Sequence, residues 1–304
     1  MLNFSEFVAE TSIVEDEKKE EFIKGFRHKK DLFEWIERFM GKDGLSKRTR
    51  LFLERFLKVK KDILEFIEKT SGIVDGIKGD FHIHSNWSDG VNSIEELIVE
   101  AKNLKYAYTV VTDHTLVGKS KYEMKVDDFF RRNEEIEKLS KKYGFKVLKG
   151  IEVDINPDGS FDYPEEILSK ADFVLGAIHF DYGEGVEKRW DLFKKLAENP
   201  FVHAIAHPVE SIGFENWIKR GEEIAHIVEK SGKILELNLT PHRLKENDMI
   251  IEYTRDKDIF YTFGTDSHYK KQLLFMVFSR MFLEKLNLCK EKVLNFKIWE
   301  ELPI

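Results

Sequence analysis

Apolar residues along the chain follow two different spacings, and the change falls near residue 75. Before it they recur every three or four positions and no proline occurs, which is typical of amphipathic helices. Two such sets flank the break Gly41-Lys42-Asp43-Gly44: Phe22, Phe26, Phe33, Ile36 and Met40, then Phe52, Phe56, Val59, Ile63 and Phe66. The spacing predicts a helical N-terminal extension over residues 1–75.

From residue 76 to residue 304, short β-type runs alternate with amphipathic helical stretches. The first of these helices has a capping box, with Ser93 as N-cap and Glu96 three residues later. Strand and helix alternating through seven units predict an α/β fold whose parallel sheet closes as a barrel. The seven runs are Gly79–His84, Tyr108–His114, Lys146–Ile155, Phe173–His179, Val202–His207, Ile234–Leu239 and Ile259–His268.

Composition narrows the class of protein. The single cysteine, Cys289, excludes a disulfide scaffold and a cysteine-based zinc cage. No apolar run of about 18 residues occurs and the N-terminus is not a signal peptide, so we expect a cytoplasmic protein without membrane contact. Charged residues make up 35% and glutamine occurs once, which favours adaptation to heat. The net charge is −7, of which residues 1–78 contribute +1 and residues 79–304 contribute −8, and this disfavours binding of long nucleic acids to residues 79–304.

Metal-binding residue types stand at the end of almost every β-type run. The two histidines of His82-Ile83-His84 face the same side of their run, because side chains alternate along a strand. The carboxyl ends of barrel strands meet at one face, where imidazoles and carboxylates in such number would be costly to desolvate without cations. The candidate ligands are His82, His84, Asp89, His114, Glu152, His179, His207, Asp266 and His268.

The mixture of ligand types restricts the ion. Imidazole and carboxylate without thiolate suit zinc, manganese, iron or cobalt, and the set is too rich in nitrogen for magnesium or calcium. Nine ligands exceed the need of one ion, so we expect two or three ions with a carboxylate bridging a pair. Motifs of serine hydrolases, P-loop enzymes and dinucleotide enzymes are absent.

The candidate ligands lie in seven short segments: Gly79-Asp80-Phe81-His82-Ile83-His84-Ser85, Trp87-Ser88-Asp89-Gly90, Thr112-Asp113-His114, Gly150-Ile151-Glu152, His179, Ala206-His207-Pro208 and Gly264-Thr265-Asp266-Ser267-His268. Together these segments resemble the PHP (polymerase and histidinol phosphatase) family. Two further stretches, residues 147–160 and 237–244, are similar to the C-terminal PHP domain of microbial family X DNA polymerases, here without the polymerase part.

The resemblance implies a distorted seven-stranded TIM-like barrel and a trinuclear metal site. The first ion would be held by His82, His84, Glu152 and Asp266. Glu152 would bridge to a second ion, which His179 and His207 complete, and a third would take Asp89, His114 and His268. The family's chemistry is hydrolysis of phosphoric esters, either of small phosphomonoesters or at the 3′ end of a nucleic acid.

The mechanism that we expect is attack on phosphorus by a hydroxide bridging two metal ions, with Glu152, His179, His207 and Asp266 as catalytic residues. Positively charged side chains usually complete such a site, and the candidates are Arg243 after the sixth run and Lys119 and Lys121 after the second.

Several functions stay open at this stage. The first is a phosphatase of small monoesters, with histidinol phosphate as one case. The second is a 3′-5′ exonuclease or 3′-phosphatase acting on DNA or RNA ends. The third is a metal-stabilised module that binds a partner and catalyses nothing.

Overall fold

The computed structural model describes residues 76–115, 123–179, 185–241 and 243–303. The chain divides into two units, Met1–Gly72 and Ile73–Ile304, and the described residues all belong to the second. The helical extension predicted for residues 1–75 therefore lies outside the described residues, and the domain boundary stays a prediction.

Six parallel strands form one curled sheet, in which each strand pairs with the next strand along the chain. Every residue of β1 and of β3 to β6 is buried, as expected for parallel strands covered by helices. The strands are β1 (Tyr108–Val111), β2 (Lys146–Asp154), β3 (Phe173–Ala177), β4 (Ala204–Ile205), β5 (Ile234–Asn238) and β6 (Tyr261–Gly264).

Helices connect successive strands, which is the arrangement that parallel strands require. They are α1 (Ile94–Asn103), α2 (Val126–Tyr143), α3 (Glu165–Leu168), α4 (Gly185–Glu198), α5 (Pro208–Ile212), α6 (Phe214–Ser231), α7 (Glu246–Thr254) and α8 (Ser279–Lys285). A 3-10 helix, Lys270–Phe278, precedes α8, and three short ones follow it: Lys290–Lys292, Leu294–Phe296 and Trp299–Glu301. None of the helices in the described ranges has the length and apolar character needed to cross a bilayer.

The predicted capping box of α1 is confirmed. The Ser93 hydroxyl accepts a hydrogen bond from the backbone N–H of Glu96, and the Glu96 carboxylate accepts one from the backbone N–H of Ser93 at 3.1 Å. This reciprocal pair satisfies two N–H groups that the helix leaves free, so it fixes where α1 begins.

The predicted count of seven strands is not confirmed, because the first run, Gly79–His84, is not a strand of the sheet. It meets the sheet through single bridges from Ile83 to Val111, the last residue of β1, and to Ser267, beyond β6, and through a few backbone hydrogen bonds such as that from the N–H of Val110 to the carbonyl of Asp80 at 2.9 Å. The run therefore lies between the first and the last strand, and the six-stranded sheet is a curled half-barrel rather than a seven-stranded barrel.

Side-chain acceptors near this run explain why no regular ladder forms. The Asp80 carboxylate accepts hydrogen bonds from the backbone N–H groups of His82 at 3.2 Å and Thr265 at 3.1 Å. The backbone N–H of Ile83 donates to the Thr112 hydroxyl at 3.1 Å. Polar side chains thus occupy donors that strand pairing would otherwise use, a competition that hydrophobic periodicity does not show.

An apolar core cluster joins the first run to the strands of the sheet. The ring of Phe81 makes edge contacts with Tyr108 and Phe173, with centroids 5.9 and 5.3 Å apart. Val110, Leu175 and other fully buried residues complete this cluster. Burying each such large side chain contributes about 1.5–3 kcal/mol to the free energy of folding. The core therefore stabilises the sheet that carries the candidate ligands.

A buried ion pair connects α2 to the segment that follows His84. The guanidinium of Arg132 is inaccessible to solvent, lies 3.2 Å from Asp113 Oδ2 and donates to the carbonyl of Gly150 at 2.7 Å. Asp113 in turn accepts hydrogen bonds from the backbone N–H and the hydroxyl of Ser85, at 2.7 and 2.8 Å. Arg132 therefore compensates the carboxylate that anchors the loop leading to Asp89.

We expect Arg132→Met to lower the free energy of unfolding by about 3–5 kcal/mol, because it leaves the Asp113 carboxylate buried without its cation. Arg131→Met is the matched control, since the Arg131 side chain is 67% exposed and its loss should cost under about 1 kcal/mol. Urea unfolding measures both values. Similar losses in the two variants would contradict this interpretation of the Arg132–Asp113 pair.

Candidate metal centre

The structure brings the nine predicted ligands together at one end of the curled sheet. His82 and His84 end the first run, and Glu152 lies near the end of β2. The others follow strand ends in loops, at the positions where separate loops of an α/β sheet meet: Asp89, His114, His179, His207, Asp266 and His268.

Glu152 lies at the middle of this cluster. Its Oε1 atom is 2.8 Å from His207 Nε2 and 3.2 Å from His179 Nε2. Its Oε2 atom is 3.1 Å from both His82 Nε2 and His114 Nδ1. The carboxylate is fully buried, and each of its oxygens has two imidazole nitrogens within 3.2 Å.

Asp266 lies on one side of Glu152 and faces the first pair of histidines. Its Oδ1 atom is 3.2 Å from His84 Nε2 and 3.6 Å from His82 Nε2. His84 Nε2 is also 3.5 Å from Glu152 Oε2. The four side chains that the family resemblance assigns to the first ion therefore converge.

Asp89 gathers the histidines on the other side. Its Oδ2 atom is 3.1 Å from His268 Nε2 and 3.6 Å from His114 Nε2, and its Oδ1 atom is 3.7 Å from His84 Nδ1. A glycine makes this loop possible, because a Cβ atom at Gly90 would lie 2.4 Å from the carbonyl oxygen of His84.

Three groups of these residues could each hold an ion with ligand atoms within 4.8 Å of one another: His84, Asp89, His114 and His268; His82, His84 and Asp266; and His114, Glu152 and His179. The family resemblance assigns His84 and His114 to one ion each, whereas in the structure each of them belongs to two of these groups. Each imidazole can do so because its two nitrogens point to different neighbours.

The hydrogen bonding within the cluster fits divalent ions. Neither ring nitrogen of His84 and not Nδ1 of His114 makes a hydrogen bond, although all three are buried. Carboxylate oxygens lie only 3.1–3.7 Å from these nitrogens. A cation bound between these nitrogens and the facing carboxylate oxygens would satisfy both kinds of group. The mixture of nitrogen and oxygen donors suits zinc, manganese or iron.

The pKa values of the clustered side chains are shifted by burial and by the charges that face them. Burial alone would raise the pKa of Glu152, but the imidazoles of His82, His114 and His179 hold it well below its usual range. Burial would lower the pKa of His268, yet the Asp89 carboxylate raises it to about 9. In His114 burial prevails and its pKa falls well below the usual value. Positive charge is thus required beside the carboxylates.

Several imidazoles have a hydrogen-bonding partner on their second nitrogen, which fixes the ring for ligation. His82 Nδ1 lies 2.7 Å from Glu236 Oε1, and His179 Nδ1 lies 3.3 Å from Asp154 Oδ1. The sequence interpretation missed both carboxylates. The available signals were that Glu236 is the charged residue of an apolar strand and that Asp154 shares a strand face with Glu152.

Two of the predicted ligands have strained backbones. His207 has φ of 61° and Asp266 has φ of 50°, in the left-handed region that residues other than glycine seldom adopt. His207 directly precedes α5, and Asp266 follows β6 by two residues. Strain of this kind persists only where surrounding contacts hold it, and it aims both side chains at Glu152 and its neighbours.

Of the three predicted substrate-binding residues, the structure describes only Arg243. Arg243 lies at the cluster, but its guanidinium is paired, with Nη1 2.5 Å from Asp266 Oδ2 and Nε 3.0 Å from Glu210 Oε2. Its role as a phosphate clamp stays a prediction. Lys119 and Lys121 lie outside the described residues.

The fold and this cluster define an α/β protein with a histidine- and carboxylate-rich candidate metal centre, and sequence comparison supplies its family. The model of the PHP domain matches residues 80–240, and the chain therefore belongs to the PHP family. The predicted resemblance is confirmed.

Two curated relatives show the range within the family. The chain is 30% identical over 213 residues to DNA polymerase/3′-5′ exonuclease PolX of Bacillus subtilis, which covers 68% of this chain and 36% of that protein. It is 31% identical over 170 residues to a probable phosphatase of Acetivibrio thermocellus, covering 51% of this chain and 66% of the relative. The chain thus spans about a third of the polymerase's length.

Among solved structures, the fold is similar to that of histidinol phosphate phosphatase from Lactococcus lactis, a complex with zinc, L-histidinol and phosphate. The TM-score is 0.57 at 20% identity, over 70% of this chain and 95% of that one. The putative histidinol phosphatase of Listeria monocytogenes gives a TM-score of 0.53 at 16% identity. The prediction of a hydrolase of phosphoric esters is confirmed at the level of this family.

We expect zinc or manganese to raise the Tm of chelator-treated protein by about 5–10 °C, since a ligand at a hundred times its Kd stabilises by about 2.7 kcal/mol. Calcium is the control ion, because it prefers oxygen ligands and should shift Tm far less. Differential scanning fluorimetry measures the shifts. Equal shifts in Tm with all three ions, or no shift with any of them, would contradict a nitrogen-rich metal centre.

Proposed function

We propose that this chain is a metal-dependent phosphatase of small phosphomonoesters. The observation that supports the proposal most directly is the position of Glu152, whose two carboxylate oxygens face four imidazole nitrogens at 2.8–3.2 Å. A buried carboxylate with ligands on both of its edges is suited to bridge two ions. The cluster can accommodate two or three divalent ions, of zinc, manganese or iron.

Each ion has its own set of side chains in this proposal. His82, His84, Glu152 and Asp266 would hold the first, Glu152, His179 and His207 the second, and Asp89, His114 and His268 the third. Bound ions would lower the pKa of a water to supply a nucleophile near neutral pH and would offset charge on the phosphoryl oxygens. Of these residues, Glu152, His179, His207 and Asp266 are the proposed catalytic group.

The remaining residues orient that group. Arg243 donates to Asp266 and to Glu210, so it holds the Asp266 carboxylate toward His84 while it balances the charge of both acids. The guanidinium carries several N–H donors in one plane. If an N–H group that now donates to Glu210 donated instead to a phosphoryl oxygen, Arg243 would position the substrate. Lys119 and Lys121, which follow β1 in the sequence, are further candidates for this contact.

The substrate class follows from charge and from the structural relative. Residues 79–304 carry the negative excess of the chain, which opposes binding of a long polyanion. The similar Lactococcus lactis structure holds L-histidinol and phosphate beside zinc. We therefore propose a small phosphorylated molecule as substrate, with histidinol phosphate as one specific candidate, and a cytoplasmic location.

One observation favours a second candidate function. The Bacillus subtilis relative, matched over 68% of this chain, carries a 3′-5′ exonuclease in its name. Basic clusters within residues 1–75, such as Lys58, Lys60 and Lys61, could bind a phosphate backbone. The second proposal is therefore a 3′-5′ exonuclease or 3′-phosphatase at nucleic-acid ends.

We expect manganese-loaded protein to hydrolyse a chromogenic phosphomonoester or histidinol phosphate faster than it shortens a 3′-labelled oligonucleotide. A chelator should abolish this hydrolysis and manganese or zinc should restore it, as phosphate release will show. Preference for the oligonucleotide would favour the exonuclease. Hydrolysis of none would favour a metal-stabilised module that binds a partner, and full activity after metal removal would contradict metal dependence.

We expect His207→Ala to lower kcat/KM for the preferred ester at least about 100-fold, since even residues one step removed from a metal contribute 10–100-fold. His226→Ala is the matched control, because His226 is exposed on α6 and should leave kcat/KM unchanged. Steady-state kinetics of both purified variants decide the matter. Equal activity of the two variants would remove His207 from the proposed site.

A further inference from the structure

We propose that Glu236 is a positioning residue of the metal centre, which holds the His82 ring so that its Nε2 atom faces the ions. Glu236 lies on β5, the one of the six strands within the described ranges whose end supplies none of the nine candidate ligands. The inference rests on the proposed function in one respect only, namely that the centre binds metal.

The contact between the two side chains is short and excluded from water. Glu236 Oε1 lies 2.7 Å from His82 Nδ1, and the side chains are 1% and 0% exposed. On the opposite edge of the ring, Nε2 is 3.1 Å from Glu152 Oε2. A neutral imidazole carries one N–H, so a carboxylate that accepts a hydrogen bond from Nδ1–H leaves the Nε2 lone pair for a cation.

The Glu236 carboxylate has one direct ion-pair contact, with His82, and the Arg243 guanidinium acts on it electrostatically from further away. Its second oxygen accepts a hydrogen bond from the Asn238 amide at 3.3 Å, and within the described ranges its one ion-pair partner is His82. A buried carboxylate costs several kcal/mol unless it is paired. The direct contact that compensates Glu236 is therefore the one with His82.

The backbone nearby is shaped to admit this pair. Asn238 of β5 is paired with Gly264 of β6 in the sheet register. A Cβ atom at Gly264 would lie 2.1 Å from Glu236 Oε1 and 2.6 Å from the Cβ atom of His82. Only glycine at this position allows β6 to pass so close to both side chains, so the contact is a built-in feature of this end of the sheet.

The other imidazole rings have weaker outer contacts. His179 Nδ1 is 3.3 Å from Asp154 Oδ1, and His207 Nδ1 is 3.4 Å from the Ser211 hydroxyl. The Glu236–His82 contact is shorter than either. Loss of the Glu236 charge should therefore disturb the first ion, which His82 helps to hold.

The test compares Glu236→Gln with the full-length wild-type protein. The glutamine keeps the shape of the side chain but removes its charge, so we expect metal affinity to fall about 10–100-fold, measured by competition with a chromogenic zinc chelator. Cobalt(II)-loaded variant should also show an altered visible absorption spectrum. Glu100→Gln is the matched control, because Glu100 is also buried but pairs with Lys271 away from the centre.

A structural role for Glu236 would give a different result. In that case the Tm of the metal-free variant would fall while metal affinity and the cobalt spectrum stayed at wild-type values, and the proposal would be overturned. If Glu236→Gln does not fold, Glu236→Asp decides, since it keeps the charge but shortens the reach: weaker metal binding supports the proposal and wild-type binding overturns it. Wild-type protein that binds metal but hydrolyses no phosphoester would refute the proposed function alone.

Discussion

A buried carboxylate surrounded by imidazoles is the interaction on which the rest of the candidate site depends. Glu152 sits inside the protein with four ring nitrogens within 3.2 Å of its oxygens. Such a group is stable in a low-dielectric interior only where positive charge accompanies it. The nearby Arg132–Asp113 and Arg243–Asp266 pairs follow the same rule, because each of these two carboxylates lies beside a guanidinium.

The strand ends made the candidate site predictable from the sequence. His82 and His84 share one face of their run by the period of two, and Glu152 and Asp266 stand at the ends of later β-type runs. In an α/β sheet of parallel strands those ends meet, so residues far apart in the chain could be grouped before any coordinates. The capping box at Ser93 was predictable for a similar reason, since it is a local contact between residues three apart.

What the sequence could not show are contacts that depend on register between strands. The first run looks like a strand, yet Asp80 and Thr112 take up its backbone donors with their side chains. Glu236 reaches His82 across 154 residues, which no local pattern reveals. Arg243 was predicted as a cation open to substrate, whereas its guanidinium is paired with Glu210 and Asp266, because the fold places these acids beside it.

The nine side chains around Glu152 are expected to bind ions together, and a count of the bound ions tests this expectation without recourse to any substrate. Elemental analysis of protein dialysed against limiting zinc and manganese, combined with anomalous scattering from crystals, would give their number and positions. We expect two or three ions per chain, each with His and carboxylate ligands from the cluster around Glu152. Protein that retains no ion, or that binds ions only elsewhere, would show that the cluster is not a metal centre.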